Sequence, residues 1–275
     1  MRSIIFPLAL FLGYAEQELR YEYLFTSVAI NTAKMPFYCI TGANRGLGLE
    51  FVRQLSQDNS NYILALTRSL SNDLSELEKV SSSNTHVLEC DTGDQNSIKA
   101  FAAKAKEILG SSGEKIKYLL NNAGVNSVPQ QTCLDLNEDD LQREMRINVI
   151  GPAKMVEFLL AEDLLTSDCR IMNMTSGLGS MQVSLGIEPR KCCTYSISKA
   201  GVNMLTAHQS GTLKTKLPEC VVVCMDPGWV KTRMGGEGAM LEPEESVGGM
   251  LKCVHGLTEK DNGKFFTYTG KEVPW

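Results

Sequence analysis

The sequence predicts a doubly wound α/β fold, with a seven-stranded parallel sheet and helices on both faces, in one domain from residue 35 to 275. Three observations predict it. From Phe37 onward short apolar runs of β character alternate with amphipathic runs of helical period. A glycine-rich stretch stands where the first strand should turn into the first helix. The chain has 275 residues, 43% hydrophobic and 21% charged, enough for one large core, and no linker or repeat divides it.

The predicted strands are Phe37 to Thr41, Tyr62 to Thr67, Thr85 to Cys90, Lys117 to Asn121, Arg170 to Met174, Val221 to Met225 and a short one at Phe265-Phe266. Helices are predicted over Leu47 to Gln57, Asn72 to Val80, Gln95 to Leu109, Glu138 to Leu165, Tyr195 to Lys216 and Glu244 to Gly256. Crossovers between parallel neighbours should be right-handed.

Residues 1–34 differ from this pattern: Arg2, an apolar run from Ile4 to Leu12, then Gly13-Tyr14-Ala15 and a charged, aromatic stretch. The run resembles a secretory signal but is too short to span a bilayer. Glu16, Glu18 and Glu22 argue against a mitochondrial presequence. The favoured reading takes Met35-Pro36 as the working start and 1–34 as an upstream extension outside the fold, with a cytoplasmic protein as the consequence.

Formal net charge is -5, with Lys and Arg scattered, so no nucleic-acid footprint is expected. The nine cysteines are odd in number and lack paired C-x-x-C spacing, and they read as reduced residues. None of the three histidines is spaced with another ligand as a metal site requires. No metal and no membrane partner are expected.

The first β-α turn reads Thr41-Gly42-Ala43-Asn44-Arg45-Gly46-Leu47-Gly48. Glycines there permit a tight turn, close backbone approach to a pyrophosphate and tight helix packing, the Rossmann-type arrangement, with the helix N-terminus facing the phosphates. A P-loop would need a Gly-Lys-Ser/Thr that is absent. Arg68 ends the second strand where an NAD site places an acid, which points to a 2′-phosphate, and Arg45 could add a second charge. For each arginine the alternative is a solvated surface residue. Asp91, after the third strand, could accept from an adenine amino group or cap the next helix, as Asp94 should.

Asn121-Asn122-Ala123-Gly124 follows the fourth strand, at the edge where an open sheet binds its ligand. Asn148 lies within an apolar helical stripe, so it serves a site or ties down backbone. Ser176 ends the fifth strand, followed by a small-residue loop from Gly177 to Thr194. Tyr195 and Lys199, four apart, share one helix face. A free phenol titrates near pH ~10, and a neighbouring ammonium lowers the cost of using it as an acid or base.

In this order these motifs, with Pro227-Gly228, resemble the short-chain dehydrogenase/reductase family over residues 37–275. The run from Asp226 to Gly236, Pro243-Glu244-Glu245-Ser246 and Gly263-Lys264-Phe265-Phe266 resemble the carbonyl-reductase-like branch of the Sniffer and C-factor proteins. That branch would have His where Asp226 stands and Asp where Arg233 stands, departures that bear on substrate preference rather than on the chemistry.

The resemblance implies an NADP(H)-dependent carbonyl reductase acting on small aldehydes, ketones or quinones. Tyr195 would be the proton donor, and Ser176 would hydrogen-bond the substrate oxygen. Lys199 would tune the phenol and bind ribose, and Asn148 would hold a relay water. Cofactor contacts would come from Gly42, Asn44, Arg45, Gly46, Leu47, Gly48, Arg68, Asp91, Asn122, Ala123, Gly124, Tyr195, Lys199, Pro227, Gly228, Val230 and Thr232. Val230 to Pro243 would form a mobile lid with Trp229, Met234, Met240 and Leu241 as its apolar wall. The two long helices could pair in a homodimer. The alternative is an NADPH-binding regulatory protein of the C-factor type with little turnover, and a third reading is a secreted or membrane-attached protein using the apolar N-terminus.

Overall fold

Seven strands, β1 (Phe37–Thr41), β2 (Tyr62–Thr67), β3 (Thr85–Glu89), β4 (Ile116–Asn121), β5 (Leu165–Met174), β6 (Val221–Asp226) and β7 (Phe265–Thr267), form one sheet in the order β3-β2-β1-β4-β5-β6-β7. Every neighbouring pair is parallel. The computed structural model describes residues 35–110 and 112–275. The N-terminal extension expected over 1–34 lies outside the described residues.

The helices are α1 (Gly46–Leu55), α2 (Ser75–Val80), α3 (Gln95–Gly110), α4 (Glu138–Met145), α5 (Gly151–Ala161), α6 (Met181–Leu185), α7 (Cys193–Thr212) and α8 (Pro243–Gly256). Strand side chains alternate between two cores. Cys39, Leu64, Leu119 and Ile171 face Phe101, Leu109, Met155 and Leu159 of α3 and α5. Ile40, Ile63, Leu120 and Met172 face Phe51, Leu55, Val247 and Met250 of α1 and α8. Burial on both faces explains why the central strands read as continuous apolar runs.

The long helix expected over Glu138 to Leu165 is three pieces. α4 starts at Asn137, whose side chain accepts the Asp140 N–H at 3.0 Å, with Glu138, Asp139 and Asp140 against the positive helix end. Residues Arg146–Ile150 then widen into a π-helical turn that carries Asn148, and α5 follows. α5 stops at Ala161, because Asp163 adopts a left-handed conformation, with φ 57°. Its N–H bonds Leu160 O at 3.1 Å and the Leu164 N–H bonds Leu159 O at 2.9 Å, the paired closure that ends a helix this way. The apolar pattern runs through this stop into Leu164 and Leu165, which is why period alone extends the helix and starts β5 five residues late.

The loop expected from Gly177 to Thr194 contains a 3-10 turn, Gly177–Gly179, and the short helix α6. Ser176 caps the first by accepting the Leu178 N–H, and Ser180 caps the second by accepting the Val183 N–H. Serines that read as loop-formers are here helix caps. Strand order reverses between β1 and β4, so the carboxyl ends of those two strands open a crevice, and the candidate residues collect there.

Candidate functional site

The glycine turn is shaped by what cannot fit. Gly42 and Gly46 have φ of 68° and 55°, in the left-handed region that glycine tolerates. A Cβ on Gly48 would lie 2.0 Å from the Gly42 carbonyl oxygen and 2.8 Å from Asn122 Nδ2. Asn122 Nδ2 donates to Thr41 O at 2.8 Å, and the Ala123 N–H donates to Thr41 Oγ1 at 2.9 Å. Asn122, Ala123 and Gly124 after β4 are thereby stitched to the turn after β1. Leu47 turns inward against the α1 core, and Asn44 is half-buried at the turn.

Arg68 leaves the end of β2 exposed, beside Asp91, and both line a cleft of about 420 Å³ with Gly93, Arg143, Arg146 and Ile147. Asp91 Oδ1 accepts the Gly93 N–H at 2.9 Å, so Asp91 shapes its own turn, while Asp94 accepts the Asn96 N–H at the start of α3. The Arg45 guanidinium is held below its ordinary value, by burial first and then by the charges of Arg233 and Arg68. Among the described residues none of these three arginines pairs with a carboxylate. Arg233 is brought close because Thr232 packs on the glycine turn, 3.7 Å from where a Gly46 Cβ would be. In the sequence Arg233 stands out only as a departure from the carbonyl-reductase-like pattern.

Ser176, Tyr195 and Lys199 converge at the carboxyl ends of β5 and β4. Lys199 is buried and its Nζ donates to Met174 O at 2.7 Å, 5.4 Å from the centre of the Tyr195 ring. Burial lowers its ammonium to about 8, with Cys224 and Glu144 pulling the other way. The Tyr195 phenol is pushed above its usual value, by burial first, then by the charges of Asp226, Cys192 and Glu144, while a hydrogen bond with the Ser176 side chain works against them. Burial and these charges, not the lowering expected from Lys199, set the phenol, which holds its proton.

Asn148 spends its side chain on structure. Oδ1 accepts the Val125 N–H at 2.9 Å, and Nδ2 donates to Val125 O and to Ser198 Oγ, each at 2.9 Å. Of the two sequence readings, this geometry shows the tie-down of backbone. A Cβ on Gly124 would sit 3.2 Å from Asn148 Oδ1 and 3.4 Å from Lys199 Nζ, so only glycine leaves that corner open.

Pro227-Gly228 turns the chain away from β6, with Gly228 at φ 78° and Pro227 O accepting from Ser246 Oγ at 2.7 Å. Val230 is buried and bridges Leu241, closing the neck of the segment expected to be a lid. Inside the neck Trp229 Nε1 donates to Gly235 O at 2.7 Å. Trp229, Met234 and Met240 are exposed.

Two carboxylates escaped the sequence reading as site residues. Glu144, fully buried, accepts the Ser127 N–H at 2.5 Å, and its Oε2 has no hydrogen-bond partner among the described residues. Its signal was a carboxylate one helical turn before Asn148. Asp226 Oδ1 accepts the Gly228 N–H at 3.0 Å. Its signal was its place at the strand end, directly before Pro227-Gly228.

A sequence model described as short chain dehydrogenase matches residues 37–240. The chain belongs to that family. Among solved structures, the NADPH-bound carbonyl reductase from chicken fatty liver is 33% identical with a TM-score of 0.78, over 88% of this chain and 100% of that one. The carbonyl reductase Sniffer of D. melanogaster is 28% identical with a TM-score of 0.78, over the same shares. The C-signal of Myxococcus xanthus is 36% identical over 163 residues, 58% of this chain and 93% of that protein. The sheet described above is the fold of this short-chain dehydrogenase/reductase group. Among the described residues no helix is long and apolar enough to cross a membrane, and no group of three or more His, Cys, Asp or Glu side chains could hold a metal ion.

Proposed function

We propose that this oxidoreductase reduces the carbonyl group of small aldehydes, ketones or quinones with NADPH. The observation that supports it most is the meeting of Ser176, Tyr195 and Lys199 at the mouth of a crevice whose other wall is the glycine turn. The site fits the cofactor on its own chemistry. The absent Cβ atoms of Gly42, Gly46 and Gly48 leave backbone to meet a pyrophosphate, and the neighbouring guanidiniums of Arg45, Arg68 and Arg233 suit the extra phosphate of NADP(H). Bound there, NADPH supplies the hydride.

Ser176 Oγ donates to the substrate oxygen, stabilising charge that grows in the transition state. Tyr195 gives its proton to the same oxygen, and a phenol that holds its proton at neutral pH is ready for that role. Lys199 supplies positive charge beneath the ring and donors for the ribose hydroxyls. Asn148 and Lys199 flank the corner that Gly124 leaves open, and a water there would refill Tyr195 with a proton. The reading carries with it a cytoplasmic location and pairing of two copies along α4–α5 and α7, where Ile150, Ile197 and Met204 are exposed.

The deciding experiment is nicotinamide absorbance with the purified protein, NADPH or NADH, and a panel of aldehydes, quinones, aromatic ketones and steroids. NADPH-dependent turnover is expected. Tight NADPH binding without turnover on any of them would favour the regulatory reading, which draws on the likeness to the C-signal.

Two predictions follow from charge. Arg68→Asp is expected to weaken NADPH by about 10- to 100-fold, the worth of a charge-assisted contact of roughly 1.5–3 kcal/mol, and NADH by less than about twofold. Arg233→Ala should weaken NADPH in the same sense by a smaller factor. Calorimetric titration with both nucleotides checks this, and equal losses for the two would make the arginines surface bystanders.

For Lys199, the folded protein gives up the proton near pH 8, below the free value of 10.5, so the charge it lends Tyr195 fades as pH rises past 8. Reduction should slow above that pH, and Lys199→Arg should abolish the break. The sign for stability is opposite: between those two values the unfolded chain binds more protons, so this group's contribution to stability rises with pH. Thermal unfolding of wild type and Lys199→Met across that range measures it.

A further inference from the structure

Asp226 stands where the chain leaves β6 for Pro227-Gly228, and its carboxylate ties two turns of the site together. Oδ1 accepts the Gly228 N–H at 3.0 Å. The Gly177 N–H, next to Ser176, is a second donor to the same carboxylate, and a Cβ on Gly177 would lie 3.3 Å from Oδ2. Among the described residues no cation pairs with it. A carboxylate has about four acceptor positions, and backbone uses only two of them here.

The carboxylate belongs to the reaction centre by position, since it lies against Gly177, the neighbour of Ser176; burial raises it above the ordinary carboxylate value, and the Gly228 and Gly177 N–H groups favour its charged form. Lys199 carries the opposite charge, but its ammonium is buried and engaged with the Met174 carbonyl. An anionic group brought to the Ser176–Gly177 edge would therefore meet Asp226 at short range, in surroundings that screen charge poorly. A neutral or cationic group with an N–H or O–H would find free acceptor positions instead. Discrimination of this kind comes from a repulsive element as much as from an attractive one.

We propose that Asp226 is a specificity-determining residue, which makes this site select neutral or cationic carbonyl compounds, above all those with a hydrogen-bond donor near the carbonyl, and reject carbonyl compounds that carry a carboxylate. This rests on the reductase reading for its catalytic arm.

The test compares three para-substituted benzaldehydes of different charge with the full chain and NADPH: 4-methylbenzaldehyde, 4-carboxybenzaldehyde and 4-formylbenzyltrimethylammonium. For wild type, kcat/KM for the carboxylate should be at least about tenfold below the methyl compound, and the ammonium compound equal to it or better. In Asp226→Asn the carboxylate penalty should shrink to within about threefold, while Asp226→Glu should keep most of it. These are ratios within one variant, so a general loss of folding or turnover cancels. A wild-type carboxylate rate equal to the methyl rate overturns the proposal, and so does an unchanged ratio in Asp226→Asn.

If no aldehyde turns over in wild type, the reductase reading falls while this one stays testable by calorimetry. Benzyltrimethylammonium should then bind wild type more tightly than benzoate, with the order lost in Asp226→Asn. The reverse order in wild type ends the proposal.

Discussion

Tyr195→Phe is expected to lower kcat/KM by about 10²- to 10⁴-fold, the range that a positioned proton donor contributes. That corresponds to roughly 3–5 kcal/mol of barrier. The substitution deletes one oxygen and keeps the ring over which Lys199 sits at 5.4 Å, so packing and cofactor binding should survive. Ser176, the phenol's side-chain partner, still accepts the Leu178 N–H at 3.2 Å when the phenol oxygen is gone, so its hydroxyl is not left unpaired. NADPH affinity, read by fluorescence, should change by less than about twofold, within the range of a surface change. Undiminished turnover would remove Tyr195 from the chemistry, and a parallel loss of NADPH binding would make its role structural.

Gly48→Ala should have the second large effect, through shape instead of charge. The added methyl would lie 2.0 Å from Gly42 O and 2.7 Å from Gly42 C, both backbone atoms that no rotamer change can move. Forcing that methyl in should cost about 1–3 kcal/mol or more in stability, and the turn that meets the pyrophosphate would be displaced with it. NADPH binding should fall by at least about tenfold, one step of 1.4 kcal/mol. Gly211→Ala is the internal control. It lies within α7 with nothing within 4 Å of the new methyl, and alanine should stabilise it by up to about 1 kcal/mol. If both substitutions lowered the melting temperature alike, the steric account of Gly48 would be wrong.

Sequence made much of this legible because the relevant signals are local. Strand and helix periods, the glycine turn and the four-residue step from Tyr195 to Lys199 each need only a few neighbouring residues. What escaped depends on contacts between distant segments. The stop of α5 at Asp163 turns on one left-handed residue inside an unbroken apolar pattern. Nothing in the order of residues says that Arg233 approaches Arg45; that requires Thr232 to pack on the glycine turn. The sheet-to-helix network behind the site was equally hidden. Asn121 Nδ2 donates to Asn173 Oδ1 at 2.9 Å, and Asn173 Nδ2 reaches Thr206 and Gln209 at 2.8 and 2.9 Å. It fixes α7, and so Tyr195, against β5. Sequence shows the phenol's nearest cation, whereas burial, then the charges of Asp226, Cys192 and Glu144, set the balance.

The segment after β6 closes on itself before it reaches α8. The Lys231 N–H meets Leu241 O at 2.9 Å, the Leu241 N–H meets Trp229 O at 3.3 Å, and Lys231 pairs with Glu242 across the same neck. Tying the two ends together removes most of the entropic charge for adding or deleting residues between them, since closure cost grows only slowly with length. Residues 234–240, beyond the Thr232 and Arg233 that meet the glycine turn, thus behave as an interchangeable cartridge. Descendants of this gene could lengthen, shorten or rewrite that stretch and acquire new substrates without disturbing the sheet, the glycine turn or the proton donor.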